Sequence, residues 1–81
     1  MSKTNMLRLP GVLYESGHRR STLNSLMAEG LWPKPVKLAP RCVGWPADEV
    51  AAVNAARIAG KSEDEIRRLV VNLEAARASA R

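Results

Sequence analysis

Hydrophobic residues recur at helical spacing in several short stretches of the chain, and single glycines mark the ends of these stretches. The first stretch begins near Pro10, which suits the first turn of a helix, and ends at Gly17. The second stretch, residues 21–29, has hydrophobic residues at positions i, i+3 and i+4 and is closed by Gly30. The pattern predicts two short helices joined by a basic turn at residues 18–20.

The predicted second helix has two contrasting faces. Its hydrophobic face consists of Leu23, Leu26 and Met27. The opposite face carries short polar side chains and a methyl group instead of lysines and glutamates: Ser21, Asn24, Ser25 and Ala28. Short side chains permit close approach to base edges, so this face is typical of a recognition helix in a DNA major groove. The alternative is an ordinary solvated face.

The segment 31–45 contains three prolines, which exclude a helix there. Two β-type runs, Val36–Leu38 and Cys42–Trp45, predict a hairpin with a short turn between them. We expect Val36 and Leu38 to point inward. A two-stranded hairpin is not stable alone, so it must pack on the helices, with the two tryptophans of the chain as the main contacts.

A third helix is predicted to begin at Pro46 and to end at Gly60. Asp48 and Glu49 lie in its first turn, where carboxylates complement the helix dipole. The expected buried face consists of Val50, Ala51, Asn54 and Ile58, with Val53 at its edge.

A fourth helix is predicted after Gly60. Ser62 and Glu65 fit a capping box, in which each residue binds the backbone N–H of the other. The helix then carries a hydrophobic stripe of helical period: Ile66, Leu69, Val70, Leu73 and Ala76. An isolated helix of this length is marginal in water, so the stripe must pack on its own domain or on a second copy of the chain.

The charged residues are unevenly distributed along the chain. Residues 1–46 hold seven basic and two acidic side chains, which accounts for the whole net charge of +5. Residues 47–81 hold six of each and are neutral overall. This division predicts that the half containing the first two helices and the hairpin faces a polyanion.

No set of residues in the sequence indicates catalysis. Cys42 and His18 are the single cysteine and histidine of the chain and cannot form a metal site by themselves. The glycines stand singly and do not form a phosphate-binding loop. The sequence shows no signal-peptide pattern and nothing near the ~20 apolar residues of a membrane span. We therefore expect a cytoplasmic, nucleoid-associated protein that is not an enzyme and uses no metal or cofactor.

An ordered set of short segments resembles the AlpA family of prophage regulators. The segments are residues 7–13, 20–23, 29–30, 32–38, 43–45, 49–50 and 55–58. The family is similar to small phage excisionases and to the DNA-binding domains of MerR-type regulators. The resemblance implies a winged helix-turn-helix that binds DNA, either as a transcription regulator or as a directionality factor that bends DNA for an integrase.

By this resemblance the groove-facing residues are Ser21, Thr22, Asn24 and Ser25, and the wing contacts lie between Lys37 and Arg41. The family usually has a serine N-cap where this chain has Arg19, which leaves Arg19 and Ser21 as alternatives for the cap. It usually has Tyr-Arg where this chain has Asn24 and Ser25, so the base preference should differ. It often has Trp-Ile where this chain has Val53 and Asn54.

The predicted fold is mostly α-helical with a small β-hairpin. It comprises a winged helix-turn-helix DNA-binding domain at residues 1–60 and a C-terminal amphipathic helix at residues 61–81 for docking or dimerisation. Arg19 and Arg20 are expected to bind phosphates at the start of the recognition helix. Asn24 is the expected base contact, because its amide can pair bidentately with adenine. On the wing, taken as residues 34–41, the predicted contacts are Lys34, Lys37 and Arg41.

The expected partner is double-stranded DNA. One such module makes few phosphate contacts, so binding should be weak and salt-dependent unless a homodimer, a cooperative array on DNA or an integrase supports it. The alternative function is a protein-interaction adaptor or antirepressor that uses the hydrophobic stripe of the fourth helix. RNA is a weaker alternative, because the sequence lacks paired exposed aromatics for base stacking. No membrane contact is expected.

Overall fold

A computed structural model describes residues 5–79 and confirms the predicted fold class, a winged helix-turn-helix followed by a C-terminal helix. Its elements, in chain order, are β1 (Met6–Leu7), α1 (Leu9–Ser16), α2 (Arg20–Ala28), β2 (Val36–Ala39), β3 (Cys42–Pro46), α3 (Ala47–Ile58) and α4 (Glu63–Ser79). No helix within residues 5–79 is both long enough and apolar enough to cross a membrane.

The helix-turn-helix is bounded by two glycines with positive φ. Gly17 has φ 74° and donates its N–H to the Leu13 carbonyl at 2.9 Å, which ends α1. Gly30 has φ 76°, and the Leu31 N–H returns to the Leu26 carbonyl at 2.8 Å, as in a Schellman motif. The second helix therefore lies where the sequence predicts it, although it begins at Arg20, one residue earlier.

The hairpin belongs to a three-stranded antiparallel sheet with the order β1-β3-β2. Gly44 lies in the central strand, where an added Cβ would approach Leu38 Cδ1 to 2.9 Å and the Leu7 carbonyl oxygen to 3.1 Å. The missing side chain thus permits close approach from both neighbouring strands. Leu38 is 42% exposed, so the prediction that it points inward is wrong. The hydrophobic core does not include Leu38 or Val43, so the turn end of the β2–β3 hairpin lies outside the core.

One hydrophobic core joins all four helices and the sheet. Its buried members are Val12, Leu23, Leu31, Trp32, Trp45, Val50, Val53, Ile66 and Val70. Both tryptophans are buried, as the sequence predicts. The second helix and the β2–β3 hairpin therefore pack on the same interior.

The buried face of α3 differs from the predicted one. Val50 and Val53 are buried, whereas Ala51 is exposed and Ile58 is 87% exposed. The prediction is wrong because α3 itself contains many alanines, which are distributed around the helix and weaken the hydrophobic period that predicts its buried face. Glu49 lies in the first turn, as predicted, and its side chain is buried.

The fourth helix begins with the predicted capping box. Ser62 Oγ accepts from the Glu65 N–H at 3.2 Å, and Glu65 Oε1 accepts from the Ser62 N–H at 2.9 Å. Further along the helix, Ile66 and Val70 pack into the common core, mainly against α3. The division of the chain into domains at residue 60 stays a prediction.

The capping box should make the free energy of unfolding depend on pH in the acidic range. The hydrogen bond from the Ser62 backbone lowers the pKa of Glu65 below its ordinary value of 4.5. A lowered pKa in the folded state contributes stability that is present above pH 4.5 and is lost as the pH falls through the folded value. We expect the stability advantage of the wild type over Glu65→Gln to shrink between pH 7 and pH 3, as measured by urea denaturation. An advantage that is constant over this range would contradict the assignment.

Candidate nucleic-acid interface

The outer face of α2 and its first turn bring six of the nine predicted DNA-binding residues together. These exposed residues are Arg19, Arg20, Ser21, Thr22, Asn24 and Ser25. The hydrophobic face of the same helix fixes this orientation, because Leu23 is fully buried and Leu26 and Met27 pack against the core. The short polar side chains therefore face away from the protein.

The start of α2 is suited to an anion. The N-cap is Arg19, which resolves the alternative of Ser21, and its side chain makes no capping hydrogen bond. The first backbone N–H groups of a helix lack intrahelical partners and carry a partial positive charge. Arg19 and Arg20 add two side-chain charges at the same end, so a phosphate would find both kinds of donor there.

His18 has a structural position in the turn before α2. Its ring lies 5.9 Å from the ring of Trp32 in an edge-on arrangement. Its backbone N–H donates to Ser16 Oγ at 3.2 Å. These contacts connect the turn to the core and so fix the start of α2.

The wing presents two of its three predicted cations. Lys37 lies opposite Val43 in the β2–β3 ladder, and Arg41 lies in the turn with a φ of 62°. Both side chains are exposed. A positive φ favours glycine and costs an ordinary residue about 1–2 kcal/mol, so an arginine is held here against a local preference.

Lys34 lies two residues before β2 and is not part of the strand pair. Its side chain is exposed, but its backbone is bound by α4: the N–H donates to Glu74 Oε2 and the carbonyl accepts from Arg77 Nη2, both at 2.8 Å. The ladder of the wing therefore begins at Val36, and Lys34 marks its base.

The basic residues of the candidate interface are not engaged in salt bridges within residues 5–79. Within residues 5–79, Arg67 and Arg77 are the basic residues that form salt bridges, and both lie in α4. The five predicted basic contacts form no salt bridge with any residue of this described range. No group of three histidine, cysteine, aspartate or glutamate residues in the same part of the chain is arranged to hold a metal ion.

Sequence reasoning missed a buried ion pair behind the interface. Glu49 is only 6% exposed, and Arg77 donates to its two carboxylate oxygens at 2.6 and 3.0 Å. The hydrogen bond to Glu49 raises the pKa of Arg77 despite partial burial. The two residues are 28 positions apart, so no local pattern in the sequence connects them.

A short helix-turn-helix followed by a β-wing, with exposed cations on both, defines a small protein of the winged helix-turn-helix class. The chain belongs to the AlpA family, because the family model described as "Prophage CP4-57 regulatory protein (AlpA)" matches residues 5–56. The predicted resemblance is thereby confirmed, and the protein is a member of a phage regulatory family. The fourth helix lies beyond the matched residues.

A similar protein occurs in a phage. The chain is 38% identical over 61 residues to "Uncharacterized protein ORF88" of Enterobacteria phage P4, covering 75% of this chain and 69% of that protein. No solved structure matches the chain significantly.

Proposed function

We propose that the protein binds double-stranded DNA sequence-specifically, with α2 in the major groove and the β2–β3 wing on the neighbouring backbone. The observation that carries this proposal is the outer face of α2, which combines short exposed polar side chains with arginines at the helix start that form no salt bridge within residues 5–79. Long side chains would hold the helix away from the bases, whereas serine and asparagine permit contact with base edges. Membership in a phage regulatory family supports the same function.

The proposal gives each group of residues a role. Arg19 and Arg20 bind phosphates together with the exposed N–H groups of the first turn. Asn24 reads a base, with adenine as the chemical match for its amide. Ser21, Thr22 and Ser25 reach bases or phosphates. Lys34, Lys37 and Arg41 bind the adjacent backbone or minor groove.

Within this proposal the protein acts as a phage regulator of transcription or as an excisionase-like directionality factor. A homodimer, a cooperative array or an integrase would supplement the few phosphate contacts of one module. The adaptor alternative has no specific support, because the stripe it would use includes Ile66 and Val70, which lie in the core. The RNA-binding alternative lacks support from the tryptophans, because both are buried and RNA bases cannot stack on them.

Two substitutions on α2 should have different effects on binding. Arg20→Ala removes a phosphate contact, so affinity for all duplexes should fall and the salt slope should flatten by about 0.9. Asn24→Ala removes a base contact, so it should reduce discrimination at one or two base pairs by about 1–3 kcal/mol and leave the slope nearly unchanged. The measurement is fluorescence anisotropy with a duplex selected from a random pool and with a scrambled duplex, at several salt concentrations.

Arg68→Ala is the matched control for Arg20→Ala. It removes the same charge from an exposed arginine that lines the cleft between α3 and α4. It should change the salt slope much less. Equal losses on selected and scrambled DNA for Asn24→Ala would contradict the base contact, and no duplex binding by the wild type at low salt would contradict the proposed function.

A further inference from the structure

The segment between the recognition helix and the wing is bound at both of its ends by α4. At the first end, Arg67 Nε donates to the Glu29 carbonyl, which lies just past α2, at 2.8 Å. At the second end, Glu74 and Arg77 bind the backbone N–H and carbonyl of Lys34, which lies just before β2. Both backbone polar groups of Lys34 are thus satisfied by side chains of one helix.

The geometry of α4 allows one face to make these contacts. Arg67, Glu74 and Arg77 are related as i, i+7 and i+10, which places them within about 80° around the helix and about 15 Å apart along it. Between the two bound ends, Leu31, Trp32 and Pro33 are buried. Three of the four residues between the bound ends are therefore held by the core.

The guanidinium of Arg77 is itself held in place. The guanidinium donates two hydrogen bonds to the carboxylate of Glu49 in α3, which is almost completely buried. The same guanidinium donates a third hydrogen bond to the Lys34 carbonyl. A planar guanidinium bound through a fork has a fixed orientation, unlike a flexible surface side chain. The base of the wing is consequently connected to the buried start of α3.

We propose that Arg67, Glu74 and Arg77 are positioning residues, which fix the angle between recognition helix and wing so that both meet one DNA duplex together. The inference rests on the proposed DNA binding. Groups that are ordered before binding avoid the entropic cost of becoming ordered on binding. By fixing the wing, α4 therefore raises the affinity for DNA although it does not contact DNA itself. These residues lie outside the part of the chain matched by the family model, so the device is additional to the family's shared segment.

Glu74 offers a test in which charge is held constant. Glu74→Ala and Glu74→Gln remove the same negative charge, but glutamine retains an oxygen that can accept from the Lys34 N–H. We expect Glu74→Ala to bind the selected duplex about 3- to 10-fold more weakly than Glu74→Gln at equal salt, the range that one net hydrogen bond supplies. Charge alone predicts equal binding by the two variants, and both should remain folded by circular dichroism.

A wing-neutral background separates positioning from general destabilisation. In a chain carrying Lys34→Ser, Lys37→Ser and Arg41→Ser, the difference between the two Glu74 variants should vanish, because the wing no longer has charges to position. The amide resonance of Lys34 should shift in Glu74→Ala and exchange faster with solvent than in Glu74→Gln. This second readout does not require DNA.

Equal affinities of the two variants in the native background would overturn the inference. A difference that persists undiminished in the wing-neutral background would also overturn it, because Glu74 would then act on stability alone. Failure of the wild type to bind any duplex in the same titration would instead remove the proposed function on which the inference rests. The two failures are therefore distinguishable.

Discussion

Replacing Arg77 by alanine should lower the free energy of unfolding by about 3–5 kcal/mol, a large part of the stability of so small a domain. Its partner Glu49 is 6% exposed, so the substitution leaves a carboxylate buried without its counter-charge. It also removes a hydrogen bond to the Lys34 carbonyl. Urea denaturation followed by circular dichroism measures the change.

Two variants control for the loss of Arg77. Arg68→Ala removes an exposed arginine from the same helix and should change stability by less than about 0.5 kcal/mol. Replacing the pair together, by Glu49→Leu with Arg77→Met, should recover most of the loss, because no buried charge remains. A cost below about 1 kcal/mol for Arg77→Ala would mean that Glu49 is solvated.

The charge of Arg77 should be insensitive to pH near neutrality. Hydrogen bonding to Glu49 raises the pKa of Arg77, and a raised pKa in a cationic group gives stability that is lost only as the pH rises through it. For Arg77, this loss of stability occurs only in strong alkali. The effect of Arg77→Ala can therefore be measured at pH 7 with the guanidinium of the wild type fully charged.

The two tryptophans should respond differently to replacement by phenylalanine. Trp45→Phe removes the donor that binds the Pro33 carbonyl at 2.8 Å, a buried hydrogen bond. The unpaired carbonyl and the lost volume together should cost about 2–4 kcal/mol. Trp32→Phe loses similar volume, but within residues 5–79 the Trp32 Nε1 has no hydrogen-bond partner, so no acceptor is orphaned. Its cost should be about 1–2 kcal/mol smaller.

Far-UV circular dichroism is the suitable probe for this pair, because both substitutions change the intrinsic fluorescence. Both residues are at least 97% buried, with exposures of 3% for Trp45 and 1% for Trp32, so burial does not distinguish them. The difference between the variants therefore reports the hydrogen bond to Pro33. A loss in Trp32→Phe that equals or exceeds the loss in Trp45→Phe would contradict this interpretation.

Local signals account for the parts of the fold that the sequence predicts. Gly17 and Gly30 end their helices through positive φ, and the capping box of Ser62 and Glu65 begins α4. Each signal acts within a few residues, so it can be recognised without tertiary information. The exposed polar face of α2 follows in the same way from the helical period, which explains why the residues proposed to face the groove lie together on one helix face.

Tertiary contacts account for what the sequence does not predict. The burial of Glu49 depends on Arg77, which arrives from another helix, and the alanines of α3 give no competing signal about its orientation. The position of Lys34 at the base of the wing likewise depends on Glu74 and Arg77. Residues far apart in sequence decide these features, so hydrophobic spacing alone cannot reveal them.

The buried pair of Glu49 and Arg77 also determines which part of the chain could be transferred to another protein. The segment shared with the family ends at residue 56, between the two partners. A chimera that contained only the first 60 residues would carry an un-neutralised carboxylate in its interior and would lack the core residues Ile66 and Val70. The smallest portable unit therefore extends through Arg77.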